Sequence, residues 1–121
     1  MHEQWRLTIV AVSLIIVSGA CDAMGFTYAA KIWQDNHLQW KTLLHSACGF
    51  ASGIALYWFT IRYFGELGVV SPELQTLIWF GTTLVGVAML SGRFLYWRSL
   101  DQGVALLVLV GIAWLLVRVE N

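Results

Sequence analysis

One acidic residue, Asp22, lies inside a long apolar stretch of this 121-residue sequence. The stretch runs from Leu7 to Ala30, and its only other ionisable side chains are the weakly acidic Cys21 and Tyr28. A charge in the interior of a membrane costs about 2.5–3.5 kcal/mol on insertion scales, and acids found there commonly mark ion or proton pathways. Because burial favours the neutral form of a carboxyl group, an acid in this position can hold a proton or a cation, but not both at once. The residue therefore indicates proton-linked membrane chemistry.

A structural role for the same carboxyl group is the alternative to transport. Asp22 would then hold two helices together through a hydrogen bond to Ser18, to Ser46 or to a backbone group. Acidic residues inside the membrane are costly and therefore rare, which favours the functional interpretation.

Aromatic side chains are the next candidates for a binding site. The face of an aromatic ring attracts an organic cation by about 0.5–2 kcal/mol, and we expect Trp79, Tyr57 and Trp58 to line the substrate site. The chain holds seven tryptophans, and most of them are expected to anchor the protein at the membrane surface.

The elements that must position these residues are predicted to be four transmembrane helices in one domain, residues 1–121. The composition is 59% hydrophobic and 12% charged, whereas a typical soluble domain has about 25% charged residues. The predicted helices cover residues 7–30, 43–63, 74–90 and 100–119. The first spans about 36 Å as a helix, enough to cross a hydrocarbon core about 30 Å thick.

Two local signals refine this all-α membrane fold. Ser71, Pro72 and Glu73 predict a helix start, with serine as the cap, proline at the first helical position and an acid in the first turn. Small residues at helical spacing predict close helix packing. The glycines expected to provide it are Gly49, Gly53, Gly81 and Gly86.

The first helix has a competing interpretation as a secretory signal peptide. Arg6 precedes the apolar run, and residues 18–21, SGAC, resemble a small-residue cleavage site. Cleavage would remove residues 1–20. The apolar run continues past this point to Ala30, and this continuity favours a membrane-spanning helix.

The positive charges give almost no preference for one orientation in the membrane. With four spans, one side carries three Lys or Arg residues and the other carries four. The three are Arg6, Arg62 and Arg118, and the four are Lys31, Lys41, Arg93 and Arg98. Since the Lys and Arg bias sets topology, either a weak signal fixes one orientation or both orientations are made and pair as an antiparallel homodimer.

The four spans, the balanced loop charges and the acid of the first helix resemble the small multidrug resistance family of the drug/metabolite transporter superfamily. Asp22 matches the family's helix-one acid, and Lys31, nine residues later, lies near the family's loop lysine. Trp79 and Gly81 in TLIWFGTTLVG look like the aromatic residue and the glycine that line the family's substrate site. Residues 93–116 resemble the third loop and the fourth helix, which form the family's dimer contact.

The resemblance implies a homodimeric, proton-coupled exchanger in a bacterial cytoplasmic (inner) membrane. Three features differ from the family pattern. Aspartate replaces the family's glutamate, a longer second connection carries Glu66 and Glu73, and PELQTLI precedes Trp79 where the family has a more apolar stretch with a tyrosine. These differences bear on multidrug export more than on membership of the superfamily.

Other chemistries have little support. Cys21 and Cys48 show neither CxxC spacing nor a His/Cys cluster, so we predict free thiols and no metal site. His45 is a candidate haem ligand near a helix end, but His2 and His37 lie in the tail and in a loop, so no cofactor is predicted. The sequence has no phosphate-binding glycine loop, nucleophile elbow or HExxH motif, and we predict no enzyme activity. A net charge of zero gives no reason to expect nucleic acid.

We therefore predict a membrane transporter that exchanges a small hydrophobic or cationic solute for protons at Asp22. The alternative is a non-transporting accessory or anchor subunit of a larger membrane complex. A carrier of lipid-linked or polar metabolites is a further alternative within the same superfamily.

Overall fold

The computed structural model describes residues 2–120, without the side chains of residues 116, 117, 119 and 120. Four α-helices make up most of this range, as predicted. They are α1, His2–Ala29; α2, Trp40–Glu66; α3, Pro72–Ser91; and α4, Ser99–Glu120. The largest difference from the predicted bounds is at the start of α1, where residues 2–6, HEQWR, continue the helix ahead of the apolar run.

Three of these helices, α1, α2 and α3, are long and apolar enough to cross a membrane. The apolar part of α4, Ser99–Leu115, is shorter. The structure therefore confirms a helical protein with membrane-spanning potential, and the fourth span stays a prediction.

A small hairpin joins α1 to α2, where the sequence indicated only a polar loop. Strand β1, Trp33–Gln34, pairs antiparallel with β2, His37–Leu38. Asp35 and Asn36 form the turn with φ angles of 51° and 63°. Asp and Asn are the non-glycine residues that most readily adopt this left-handed conformation, which suits a two-residue hairpin turn. The first connection is therefore a tight hairpin with a two-residue turn.

The start of α3 agrees with the predicted signal. Ser71 is the N-cap and its side-chain oxygen accepts a hydrogen bond from the backbone N–H of Leu74 at 3.2 Å, with Pro72 as the first helical residue. Gly92 ends the helix with a φ of 67°, a conformation that favours glycine. A short 3-10 turn, Phe94–Tyr96, then leads into α4.

Helix α1 is the central element of the fold. It packs along both α2 and α3, whereas α2 and α3 make few contacts with each other, and α4 packs mainly against α3. The buried residues of α1 are Ala11, Ile15, Ser18, Gly19, Asp22, Ala23 and Gly25. The candidate acid therefore belongs to the helix that holds the others together.

Small residues let α1 approach both neighbours closely. A Cβ atom at Gly49 would lie 2.8 Å from the backbone nitrogen of Gly25 and 2.9 Å from the carbonyl oxygen of Cys21, so α2 touches the backbone of α1. On the other side of α1, a Cβ atom at Gly86 of α3 would lie 2.9 Å from Cβ of Ala23. Such close approach gives the van der Waals contact that stabilises helices in membranes.

The four glycines singled out from the sequence do not all lie in such contacts. Gly53 also lies against α1, but a Cβ atom at Gly81 would meet nothing within 4 Å. Gly81 faces a groove between α1, α3 and α4, so it does not bring two helices together.

Two buried serines fix the position of α2 along α1. The hydroxyl group of Ser18 donates to the carbonyl oxygen of Gly53 at 2.7 Å, and that of Ser46 donates to the carbonyl oxygen of Gly25 at 2.8 Å. Interhelical hydrogen bonds in membranes contribute about 0.6 kcal/mol on average. Their larger effect here is on register, because a sliding helix would lose both bonds together.

Replacing Gly49 with alanine should separate α1 from α2, because the new Cβ would meet backbone atoms that cannot rotate away. We expect the free energy of unfolding to fall by about 1–3 kcal/mol, measured by unfolding in detergent micelles. Gly111→Ala is the matched control, since a Cβ atom there would meet no described atom within 4 Å. Equal stability of the two variants would contradict the close approach of the helices.

Candidate functional site

Asp22 lies at the junction of α1, α2 and α3, and its side chain is fully buried, at 0% exposure. The indole nitrogen Nε1 of Trp79, on α3, donates a hydrogen bond to its Oδ2 at 2.5 Å. On the opposite side the carboxyl group rests on Gly53 of α2, where any Cβ atom would overlap it. The acid singled out from the sequence is therefore held between two neighbouring helices.

Helical periodicity places Asp22 in this junction. Ala11, Ile15, Ser18, Asp22 and Gly25 follow one another at intervals of three or four residues, so they share one face of α1. All five are buried. Ser18 and Gly25 are small and let α2 approach α1 closely. The carboxyl group of Asp22 fills the space between the two helices.

The second carboxyl oxygen, Oδ1, has no hydrogen-bond partner among the residues that the structure describes. The two serines that a structural role would use donate instead to backbone carbonyls, Ser18 to Gly53 and Ser46 to Gly25. A buried polar atom without a partner costs about 1–3 kcal/mol. This oxygen is thus free to hold a proton or to accept from a cationic group.

An aromatic pair adjoins the carboxyl group. Tyr57 of α2 and Trp79 of α3 meet edge to face, with ring centroids 6.2 Å apart. Both rings pack on a small apolar cluster of Ala11, Ile15 and Phe64. The structure therefore brings together three of the residues singled out from the sequence: Asp22, Trp79 and Tyr57.

Trp58 lies elsewhere. Its side chain is 68% exposed, because one residue along a helix turns the side chain by about 100° from that of Tyr57. The structure places Trp58 on the outer surface of α2, away from Asp22.

The residue that sequence reasoning missed is Thr83. It is 3% exposed, and its hydroxyl oxygen has no hydrogen-bond partner in the described part of the chain. Thr83 lies four residues after Trp79 and so on the same face of α3. This spacing in the sequence was the signal available, and it becomes informative only once Trp79 is known to contact Asp22.

A groove of about 700 Å³ lies on the other side of α1, between α1, α3 and α4. Ala20 and Met24 line it, and each is two residues from Asp22, which puts them on nearly the opposite face of the helix. The lining is almost entirely apolar and does not include Asp22. This groove therefore gives no direct access to the carboxyl group.

The remaining titratable candidates are His45 and the two cysteines. His45 stacks on Tyr28 with ring centroids 5.0 Å apart, near the hairpin. Cys21 and Cys48 are free thiols. Within the residues described, no group of three or more His, Cys, Asp and Glu side chains is placed to hold a metal ion.

No protein-family model matches the sequence, and no curated protein or solved structure matches it either. The function is therefore inferred from the chemistry of the site.

The hydrogen bond between Trp79 and Asp22 predicts energetic coupling of the two side chains. Trp79→Phe removes the donor and should cost about 0.6–1.7 kcal/mol of unfolding free energy. In an Asp22→Ala background the acceptor is already absent, so the same change should cost less. A double-mutant cycle measured by unfolding in detergent separates this coupling from the loss of packing.

Trp58→Phe is the control for this cycle, because its exposed ring makes no contact with Asp22 and its effect should be independent of the Asp22 background. Additive effects of Trp79→Phe and Asp22→Ala, within about 0.3–0.5 kcal/mol, would contradict the hydrogen bond.

Proposed function

We propose that this chain is a proton-coupled exchanger that moves a small hydrophobic or cationic solute across a membrane, with Asp22 as the group that protons and solute share. One observation carries the proposal: a fully buried carboxyl group in an apolar helix has one oxygen held by Trp79 and the other without a partner among the described residues. In a low dielectric, a carboxyl group persists as the neutral acid or as an ion paired with a cation. These two states exclude each other, which is the condition for exchange.

Trp79 suits both states of such a site. An indole N–H can only donate, and Oδ2 can accept this hydrogen bond whether Oδ1 carries a proton or contacts a cation. The bond thus orients the carboxyl group through the whole cycle. Oδ1 is the atom at which proton and solute compete.

The aromatic pair of Tyr57 and Trp79 supplies the apolar part of the site. Ring faces beside a carboxylate favour solutes that combine positive charge with a hydrophobic body, and each good ring contact contributes about 0.5–2 kcal/mol. The two rings come from different helices, so a solute that separates them would also move α2 relative to α3.

The proposal includes a homodimer in a bacterial cytoplasmic membrane, with α4 as the fourth span. The 22 residues of α4 make about 33 Å of helix, and most of its apolar side chains up to residue 115 are exposed. An apolar surface of this kind faces either lipid or a second copy of the chain. The exposed rings of Trp33 and Trp97 in the connections and of Trp40 at the start of α2 are typical of anchors at the membrane surface.

Proton release on solute binding is the direct test. A panel of organic cations, guanidinium compounds and polar amines is added to weakly buffered protein in detergent, and the change in proton concentration is recorded. A bound cation should displace up to one proton from each Asp22, so release should saturate with solute. Asp22→Asn should abolish the release, because an amide cannot exchange a proton in this range.

The folding control for Asp22→Asn is elution as a single species and an unchanged helical circular dichroism spectrum. Asparagine keeps an acceptor oxygen for Trp79, which makes it the mildest replacement. If the wild type forms a homogeneous species and releases no protons with any compound, the proposal fails and a role as an accessory subunit is favoured.

The nearly balanced Lys and Arg residues predict that both orientations are made. Reporter fusions at the C-terminus, one active only in the cytoplasm and one only outside, should both give signal. Adding two lysines to one loop should shift the population to a single orientation, since such charges set topology. A wild-type signal from one reporter alone would exclude the antiparallel dimer and leave transport open.

A further inference from the structure

Thr83 and Asp22 carry the two buried side-chain atoms that have no hydrogen-bond partner among the residues described: Oγ1 of Thr83 and Oδ1 of Asp22. They belong to adjacent helices, α3 and α1, that pack closely along their length. Each such atom is costly to bury. Two such atoms on neighbouring helices indicate a common ligand more strongly than either atom does alone.

Comparison with other threonines shows that the free hydroxyl group of Thr83 is unusual. In a helix, a threonine hydroxyl commonly donates to the carbonyl oxygen four residues earlier. The threonines that do so here are Thr8, Thr27, Thr60 and Thr82. Thr83 could satisfy its hydroxyl group in the same way and does not, so the group stays available.

Thr83 is placed on the part of α3 that packs against α1. On α3 it lies four residues after Trp79, which contacts Asp22, and three residues before Gly86, which contacts Ala23. All three α3 residues share one face of the helix. The adjacent Thr82 also packs on α1, against Gly19, but it lines the groove between α1, α3 and α4, whereas Thr83 does not. Thr83 is therefore buried on the Trp79 side of the contact between α3 and α1.

We infer that Thr83 is a second polar contact of the Asp22 site, and that it makes the site select cations carrying N–H groups over quaternary cations of the same shape. The inference rests on the proposed function, since it assigns the ligand class of the same site. Thr83 is a specificity-determining residue, and Asp22 supplies the charge.

The selectivity follows from the donors that each ligand offers. A primary ammonium group has three N–H donors and can donate to Oδ1 of Asp22 and to Oγ1 of Thr83 at once. A trimethylammonium group presents only methyl groups and leaves the threonine oxygen buried without a partner. Sites built to hydrogen-bond a ligand reject analogues that lack the matching group.

Benzylammonium and benzyltrimethylammonium are the probes, because they share an aromatic body and a positive charge and differ in N–H groups. Binding of each to full-length protein in detergent is measured by calorimetry and by proton release. The wild type should bind benzylammonium more tightly. Thr83→Val removes the hydroxyl group at nearly constant volume and should weaken benzylammonium binding about tenfold, with benzyltrimethylammonium changed by less than about twofold.

Two variants control this experiment. Thr83→Ser keeps a hydroxyl group and should keep the preference of the wild type. Thr82→Val removes the neighbouring hydroxyl group, which is bonded to the carbonyl oxygen of Ile78, and should leave the affinity ratio of the two probes unchanged. Thr83→Val must elute as the same species as the wild type.

The outcomes separate this inference from the proposed function. If the wild type binds the probes with proton release, but Thr83→Val leaves their affinity ratio unchanged or weakens both equally, the role of Thr83 is wrong and the exchanger stands. If the wild type binds neither probe and releases no proton with the wider panel, both proposals fail.

Discussion

The burial of one carboxyl group between Gly53 and Trp79 is the constraint on which the rest of the structure depends. The group fits only because position 53 has no side chain, and it is oriented because an indole N–H reaches it from the other side. α2 must therefore approach α1 closely, which requires the small residues along their contact. The serine hydroxyl groups then fix the register in which glycine meets aspartate.

The distribution of hydrogen bonds within this junction separates structural from functional polar groups. Most of the buried hydroxyl groups donate to backbone carbonyls, either within their helix or across to α1 or α2. An acid kept only for stability would gain from such donors, since unmade bonds are costly where water is absent. Oδ1 of Asp22 has none among the residues described. Ser18 and Ser46, the two serines that could have satisfied it, donate to backbone carbonyls instead, which leaves the carboxyl group available for a ligand.

The sequence was sufficient for the features that depend on composition or on one local signal. The apolar runs predicted four helices, and Ser71 and Pro72 predicted the start of α3. The isolated charge singled out Asp22 as the candidate site residue. It was insufficient where the outcome depends on which face a helix presents. Tyr57 and Trp58 are adjacent and both aromatic, but Tyr57 packs against Trp79 whereas Trp58 lies on the outer surface of α2. Nor does a sequence show whether a threonine hydroxyl bonds its own helix, so Thr83 could not be distinguished from Thr82.

The same packing indicates where the site must open. Asp22 is fully buried, so a solute reaches it only if two of the three surrounding helices separate. The contacts of α1 with α2 include backbone touching backbone and two hydrogen bonds, and its contacts with α3 include Gly86 against Ala23. By contrast, α2 and α3 make few contacts with each other, among them the edge contact of Tyr57 with Trp79 and a side-chain hydrogen bond between Tyr57 and Thr76. Separating α2 from α3 therefore breaks fewer contacts than separating α1 from either helix. It also moves apart the two rings that would bind an incoming cation.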